Sequence, residues 1–306
     1  MSSVDKEYPL NGHGVNYRNQ SLILLITETL KRNKSLGEIS FVANGEWGAV
    51  FKVKYGKEYY ILKIELINKT KKYPTASQLD RERNILKRIN DTLKSKRIVS
   101  YIAEPLNNVP VDPMMIPTEI IEYVRKVKPS KQLGTSYKMN VVVFPFYTQT
   151  VKYCFGIDEK LAKRYFKQFL RCITQCHIAG YIHRDINDGN FMFQNEKFEN
   201  IVLIDFGLAR PIPTREEKSV EEEGSRQFNS YRVENSETAS IRDDLESIAF
   251  LTWSMIEPLP WTNGNSKTLK QSLKGCPEWL KRVVLYARSL KLTEQIDMKK
   301  VLEMIL

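Results

Sequence analysis

The chain has 306 residues, and 47 lysines and arginines against 36 aspartates and glutamates leave a formal net charge of +11. At about 150 residues per domain that length holds one large domain or two modest ones. A hydrophobic fraction of 42% can build a real core, which excludes disordered and collagen-like chains. No apolar run approaches the ~18 residues of a membrane helix, since Leu22 to Leu30 is interrupted by Thr27, Glu28 and Thr29. The start, Met1 to Lys6, lacks the parts of a signal peptide and has no glycine after Met1 for myristoylation. The expectation is a soluble intracellular protein of the cytoplasm and/or nucleus, with no membrane association.

Cys154, Cys172, Cys176 and Cys276 are too few and scattered for a disulfide framework. Cys172, Cys176 and His177 lack the second ligand pair of a zinc site and read as core residues. The basic balance points to an anionic partner without naming one. Two clusters, Lys69-Lys71-Lys72 and Lys126-Lys128-Lys131, have no interleaved aromatics and read as solvated surface. A nucleic-acid partner is not required.

In chain order, a helix is expected near Gln20 to Arg32. Ala49, Phe51 and Val53 then alternate with Val50, Lys52 and Lys54, Tyr55-Gly56-Lys57 can turn, and Tyr59 to Ile64 runs back as a hairpin. Leu79 to Ile89 has helical spacing, with Leu79, Arg83 and Leu86 on one side and Glu82 nearby. The stretch from Glu104 to Lys138 is proline-rich at first and shows no period. Val141 to Phe144 reads as a short buried strand that Pro145 ends. Leu161, Tyr165, Phe169, Ile173 and Cys176 form a helical stripe that Gly180 can stop. Phe191 to Phe193 and Ile201 to Ile204 read as a second hairpin. Leu245 to Met255 is apolar nearly all round and marks a buried helix. Pro277 opens another. The shift near Tyr147 from strands to helices suggests two lobes.

Four features carry chemistry. Gly45 and Gly48 sit three apart in a strand–turn–strand setting, where backbone N–H groups can approach a polyphosphate, although glycine pairs are common in hairpins. Lys63 interrupts an apolar strand and must reach solvent or an anion such as Glu82. His183-Arg184-Asp185 and Asn190 place a carboxylate and an amide five residues apart on a loop, one able to accept a hydroxyl proton and the other to ligate a hard cation. Ile204-Asp205-Phe206-Gly207 ends a strand with another carboxylate.

In this order the features resemble the protein kinases. Arg242-Asp243-Asp244-Leu245-Glu246-Ser247, Leu259-Pro260-Trp261 and Tyr286-Ala287-Arg288-Ser289-Leu290 are similar to runs of the casein kinase 1 group, and residues 224–230 stand in the place of its G-T-x-R-Y-A-S. The resemblance implies an α+β bilobal kinase fold. A small antiparallel β-rich N-lobe would span about 36–146 and a larger, mainly helical C-lobe about 147–306, after an N-terminal extension at 1–35.

It further implies a Ser/Thr protein kinase that uses ATP and Mg²⁺ on protein substrates, acidic or already phosphorylated. Asp185 would accept the substrate proton, with Lys63, Glu82 and Arg184 completing the catalytic set. Val42, Gly45, Gly48, Val50 and Lys63 would hold ATP, Phe144 would be the gatekeeper, and Phe146 and Tyr147 would belong to the hinge after Pro145. Asn190 and Asp205 would bind Mg²⁺, and Asp244 would brace the catalytic loop. Three positions depart from the family. Ala43 replaces the first loop glycine and Gln227 replaces an arginine that binds substrate anions. Asn187 stands where Ser/Thr kinases carry a lysine near the γ-phosphate, and Gly189 stands where tyrosine kinases carry an arginine. A nucleotide-binding pseudokinase that acts as a scaffold or regulator is the alternative this leaves. The acidic run Glu216, Glu217 and Glu221 to Glu223 reads as a solvated loop.

Overall fold

Period-2 alternation over residues 39–68 produces three strands: β1 (Ile39–Asn44), β2 (Ala49–Tyr55) and β3 (Glu58–Asn68). With β4 (Tyr137–Pro145) they form one antiparallel sheet in the order β1-β2-β3-β4. The computed structural model describes residues 17–45, 48–68, 77–106, 137–216, 224–261 and 266–306. Both lysine clusters, Trp47, most of the 104–138 stretch and Glu217 to Glu223 lie outside the described residues. The chain divides into two compact units, one of residues 1–84 with 104–146 and one of residues 85–103 with 147–306.

Strand register decides the two faces of the sheet in the first unit. Lys63 lies opposite Val50 and Val142, and Ile61 lies opposite Lys52 and Phe144, so these six share one face. Ala49, Phe51, Val53, Leu62, Ile64, Leu66, Met139 and Val143 share the other and are buried. Helix α1 (Gln20–Lys31) packs into that apolar cluster. Its Leu22, Ile26 and Leu30 recur every four residues, and all three are 0% exposed. Asn19 caps it by accepting the Ser21 N–H at 2.9 Å. Residues before position 36 therefore contribute part of this unit's core. Helix α2 (Gln78–Ser95) follows β3 and buries Leu79, Ile85, Leu86 and Ile89. Arg83 is exposed and paired with Asp80.

The second unit is mainly helical. Gln149–Thr150 forms β5, and α3 (Glu159–Ile178) is capped by Asp158, which accepts the Leu161 N–H at 2.7 Å. Gly180 follows α3 with φ +85°, a left-handed conformation that glycine tolerates. Four short strands come next: β6 (Tyr181–Ile182), β7 (Phe191–Phe193), β8 (Ile201–Leu203) and β9 (Arg210–Pro211). Then come α4 (Tyr231–Glu234), α5 (Ile241–Ile256), α6 (Ser266–Ser272), α7 (Glu278–Ser289) and α8 (Met298–Met304). Residues 241–255 of α5 are all buried, and the helix packs on α3 and α7. Cys172 and Cys176 are buried in α3 with thiols donated to the Ile201 and Tyr181 carbonyls, and burial pushes the Cys172 thiol up to about 12.

Removing α1 would uncover the apolar face of the sheet, which it covers with three aliphatic side chains worth about 1.5–3 kcal/mol each. The expected outcome is that a chain lacking residues 1–35 loses cooperative unfolding of the first unit, and that Ile26→Ala costs about 2–5 kcal/mol. Urea unfolding followed by fluorescence checks both.

Candidate active site

In the first unit the central pair is formed. Lys63 Nζ donates to Glu82 Oε1 at 2.7 Å, with the two side chains 19% and 5% exposed. An ammonium and a carboxylate this withdrawn from water are each tolerated because the other is there. A residue that sequence reasoning missed aligns them. Glu65, two positions after Lys63 and so on the same face of β3, is buried and accepts from Ser77 Oγ at 2.6 Å and from the N–H groups of Gln78 and Leu79 at 3.2 and 3.1 Å. Its carboxylate satisfies the first N–H groups of α2 and suits the positive end of the helix dipole. The strand that carries Lys63 thus holds the helix that carries Glu82. The signal was present, since a second charge in an apolar strand, two residues on, shares the face of the first.

The remaining residues assigned to nucleotide binding are placed as follows. Gly48 is required by packing, because a Cβ there would lie 2.7 Å from the Ile64 carbonyl oxygen. The Gly45 N–H donates to the Gly48 carbonyl at 2.9 Å and closes the turn. Val42 sits at a bulge between Phe41 and Ala43 and is exposed. Val50 lies directly opposite Lys63, and the Phe144 ring is 5.6 Å from Lys63 Nζ. Ile61, which sequence reasoning did not single out, shares this face. The Phe146 ring meets Tyr59 at a tilt and lies under Lys52 Nζ, 4.2 Å from the ring centroid. Tyr147 begins the second unit.

In the second unit Asp185 is held on both oxygens. Ser225 Oγ donates to Oδ1 at 2.9 Å and Asn190 Nδ2 to Oδ2 at 3.0 Å, and the same Asn190 nitrogen also reaches the Asp185 carbonyl at 2.8 Å. With its nitrogen committed, Asn190 turns its amide oxygen away from Asp185, as a ligand to a hard cation must. The Ile204 N–H donates to the Asn190 carbonyl at 2.9 Å, which ties the loop to the strand leading into Asp205. Asn187 turns inward. Its Oδ1 accepts the Gly189 N–H at 2.8 Å and its Nδ2 donates to the Asp185 carbonyl at 3.3 Å, an Asx turn inside the catalytic loop. Arg184 and Asp205 have φ of +70° and +62°. Non-glycine residues there store about 1–3 kcal/mol each, a strain that surrounding structure must hold.

Much of that holding comes from Asp244 on α5. Its Oδ2 accepts from His177 Nε2 at 2.8 Å and from the His183 N–H at 2.9 Å, and its Oδ1 accepts the Arg184 N–H at 3.0 Å. Burial by itself would raise this carboxyl, but the hydrogen bond and charge of His177 with the His183 N–H outweigh it and hold it below the usual carboxylate range. The His183 ring meets the buried Phe206 ring edge-on at 4.8 Å. Gly224 has φ +94°, and a Cβ there would fall 2.5 Å from the Arg184 carbonyl oxygen. Only glycine fits so close to the loop, and this approach delivers Ser225 to Asp185. The segment is anchored from behind by Lys270, which is 0% exposed and donates to the Arg226 and Asn229 carbonyls, both at 2.8 Å, and to Glu234.

A paired ammonium and carboxylate between a strand and the helix that follows it, a doubly held aspartate and an amide five residues on are the residue types from which phosphoryl-transfer sites are built. Residues 36–303 match the protein kinase domain family, and the chain belongs to it. The chain is similar to a probable casein kinase I homolog of Encephalitozoon cuniculi (strain GB-M1), with 30% identity over 134 residues. The match takes in 40% of this chain and 43% of that relative, so less than half of the relative's length is spanned. The antiparallel sheet of the first unit and the helices of the second give the α+β fold of this family.

Asp244→Asn replaces an acceptor of three donors by a group that can face only some of them. The expected cost is about 2–4 kcal/mol of stability, with the buried partners left short of an acceptor, read by urea unfolding. The neighbouring Asp243 behaves oppositely. Burial, only partly offset by the Ser230 and Ser240 hydrogen bonds, raises its carboxyl to about 6. A raised folded value favours the folded state below the unfolded value of 3.8 and loses that advantage as pH rises through 6. The stability gap between the wild type and Asp243→Asn should therefore be wider at pH 5 than at pH 7 in unfolding titrations.

Proposed function

We propose that the chain is a Ser/Thr protein kinase, casein kinase 1-like, which transfers the γ-phosphoryl group of Mg-ATP to protein hydroxyls. The observation that carries the proposal is Asp185, whose two carboxylate oxygens are fixed by Ser225 and Asn190 while its acceptor capacity remains. Asp185 would orient the substrate hydroxyl and take its proton as the new O–P bond forms and the bond to the β-phosphate oxygen breaks. Lys63, aligned by Glu82, would grip the nucleotide phosphates, and the backbone around Gly45 and Gly48 would cover them. Val42, Val50, Ile61 and Phe144 would surround the base, with the hinge backbone at Phe146 and Tyr147 beside it. The Asn190 amide oxygen and the Asp205 carboxylate are the donors a Mg²⁺ ion prefers; bound there, the ion would neutralise phosphate charge. Arg184 belongs to the same loop and would help order it.

The acidic or phosphorylated substrates of this group are proposed on the strength of the net charge of +11. Gln227 contributes no charge to that preference. Four unpaired cysteines suit a reducing compartment, and the proposal places the protein inside the cell, in the cytoplasm and/or nucleus.

A second reading, a nucleotide-binding pseudokinase that acts as a scaffold or regulator, is favoured by Asn187. Its side chain is spent on the Asx turn, and no cation stands at that position. One missing charge-stabilising donor costs on the order of 10²–10³ in rate, which slows a kinase without abolishing it. The deciding experiment measures phosphate transfer from Mg-ATP to an acidic protein substrate, with Asp185→Asn as the blank. Transfer is expected in the wild type and not in the blank. Asn187→Lys should raise kcat about tenfold, because the gained charge outweighs one lost turn of about 1 kcal/mol. No transfer above the blank, with Mg-ATP binding retained, would establish the pseudokinase.

A further inference from the structure

Tyr17 lies before the residues matched by the kinase family, and it is 1% exposed. Its ring belongs to the apolar core behind the sheet, and its hydroxyl and carbonyl are both used. Tyr17 Oη accepts the N–H of Leu66 on β3. The Tyr17 carbonyl accepts Asn44 Nδ2 at 2.7 Å, and Asn44 is the last residue of β1, directly before Gly45.

The position of these two bonds gives them meaning. The β2–β3 ladder runs only to the pair Ala49 and Ile64, because the chain leaves the sheet at Gly48 to make the glycine turn. Leu66 is two residues beyond that pair, and it still pairs with Met139 of β4 on its other side. Its N–H would have met β2 had that strand continued. Tyr17 Oη supplies the acceptor instead, where a buried N–H without one would cost free energy. The same residue then holds the incoming arm of the turn through Asn44. Tyr17 thus ties the root of the glycine hairpin on β1, at Asn44, to the edge of β3 that β2 vacates, at Leu66.

We infer that Tyr17 and Asn44 are positioning residues for the glycine turn, so that the segment ahead of the kinase match sets the affinity for the phosphates of the nucleotide. The inference rests on the nucleotide-binding reading proposed above and deepens it. A clamped hairpin presents its N–H groups already ordered, and a freed one must be ordered when the phosphates bind. Because the proposed function assigns the turn to the phosphates and not to the base, the effect should be specific to the phosphates.

The test measures binding of Mg-ATP and of adenosine to the full chain by calorimetry, well below the unfolding temperature. Three variants are compared: Asn44→Ala, Tyr17→Phe, which keeps the buried ring, and Ile26→Val, which loosens the α1 core without touching the clamp. Asn44→Ala and Tyr17→Phe are expected to weaken Mg-ATP about fivefold and to leave adenosine within twofold, while Ile26→Val changes neither. Unchanged Mg-ATP affinity in Asn44→Ala and Tyr17→Phe would overturn the inference alone. Equal weakening of ATP and adenosine, or weakening in Ile26→Val as well, would also overturn it, because a merely structural role predicts that pattern. A wild-type chain that binds no Mg-ATP would overturn the nucleotide-binding reading and this inference with it.

Discussion

A carboxylate removed from water stays charged only when donors enclose it, and the second unit is organised around one such enclosure at Asp244. The donors that keep Asp244 ionised are the backbone N–H groups of His183 and Arg184 together with the His177 ring. The catalytic loop is therefore positioned by the same bonds that make the buried charge tolerable. Neither can be relaxed without the other, and this explains how a loop with a left-handed arginine at its centre stays in place.

The neighbours of Asp244 extend the constraint. Consecutive helical residues point about 100° apart, so Arg242, Asp243 and Asp244 point three ways and Glu246, one turn on, returns to the side of Arg242. Arg242 reaches the Leu290 carbonyl, Asp243 accepts from Ser230 Oγ, Asp244 takes the loop, and Glu246 accepts from Arg288 and from the Tyr231 N–H. A run that reads in sequence as a family signature is physically a hub. It joins the loop, the segment carrying Ser225, and α7. The first unit solves a similar problem with a sheet. One face carries Lys63 and Glu65, whose charges are answered by α2, and the other is apolar and answered by α1.

Features that depend on local spacing were legible in the sequence. The stripe of α3, the stop at Gly180, the hairpin at β2 and β3, and the Asp185–Asn190 spacing all follow from residues within one turn or one strand pair. Partnerships across long separations were not legible. Asp185 and Ser225 are 40 positions apart and His177 and Asp244 are 67 apart, and no periodicity announces either contact. Arg83 shows the limit of spacing alone. Its spacing puts it on the side of Leu79 and Leu86, yet with Asp80 three residues earlier it pairs at the surface. Helix α1 was expected as a helix, but its partner could be recognised only once β2, β3 and β4 had each committed an apolar face to the same side.

The catalytic loop shows how the departure at Asn187 can persist. The Asp185 carbonyl accepts two side-chain amides, from Asn187 and from Asn190, and a carbonyl oxygen has two lone pairs to offer. The Asn190 contact is the shorter, and that residue also holds the carboxylate. Asp185 therefore keeps a firm anchor whatever residue stands at 187. The contribution peculiar to Asn187 is the acceptor for the Gly189 N–H, which closes the turn between Asp185 and Asn190. A lysine would bring a charge to the reaction and leave that N–H to water. An asparagine fixes the spacing between Asp185, proposed as the proton acceptor, and the amide proposed for the metal. The loop has taken geometry over charge. This is a defensible exchange where, as in phosphoryl transfer, so much of the catalysis is positioning.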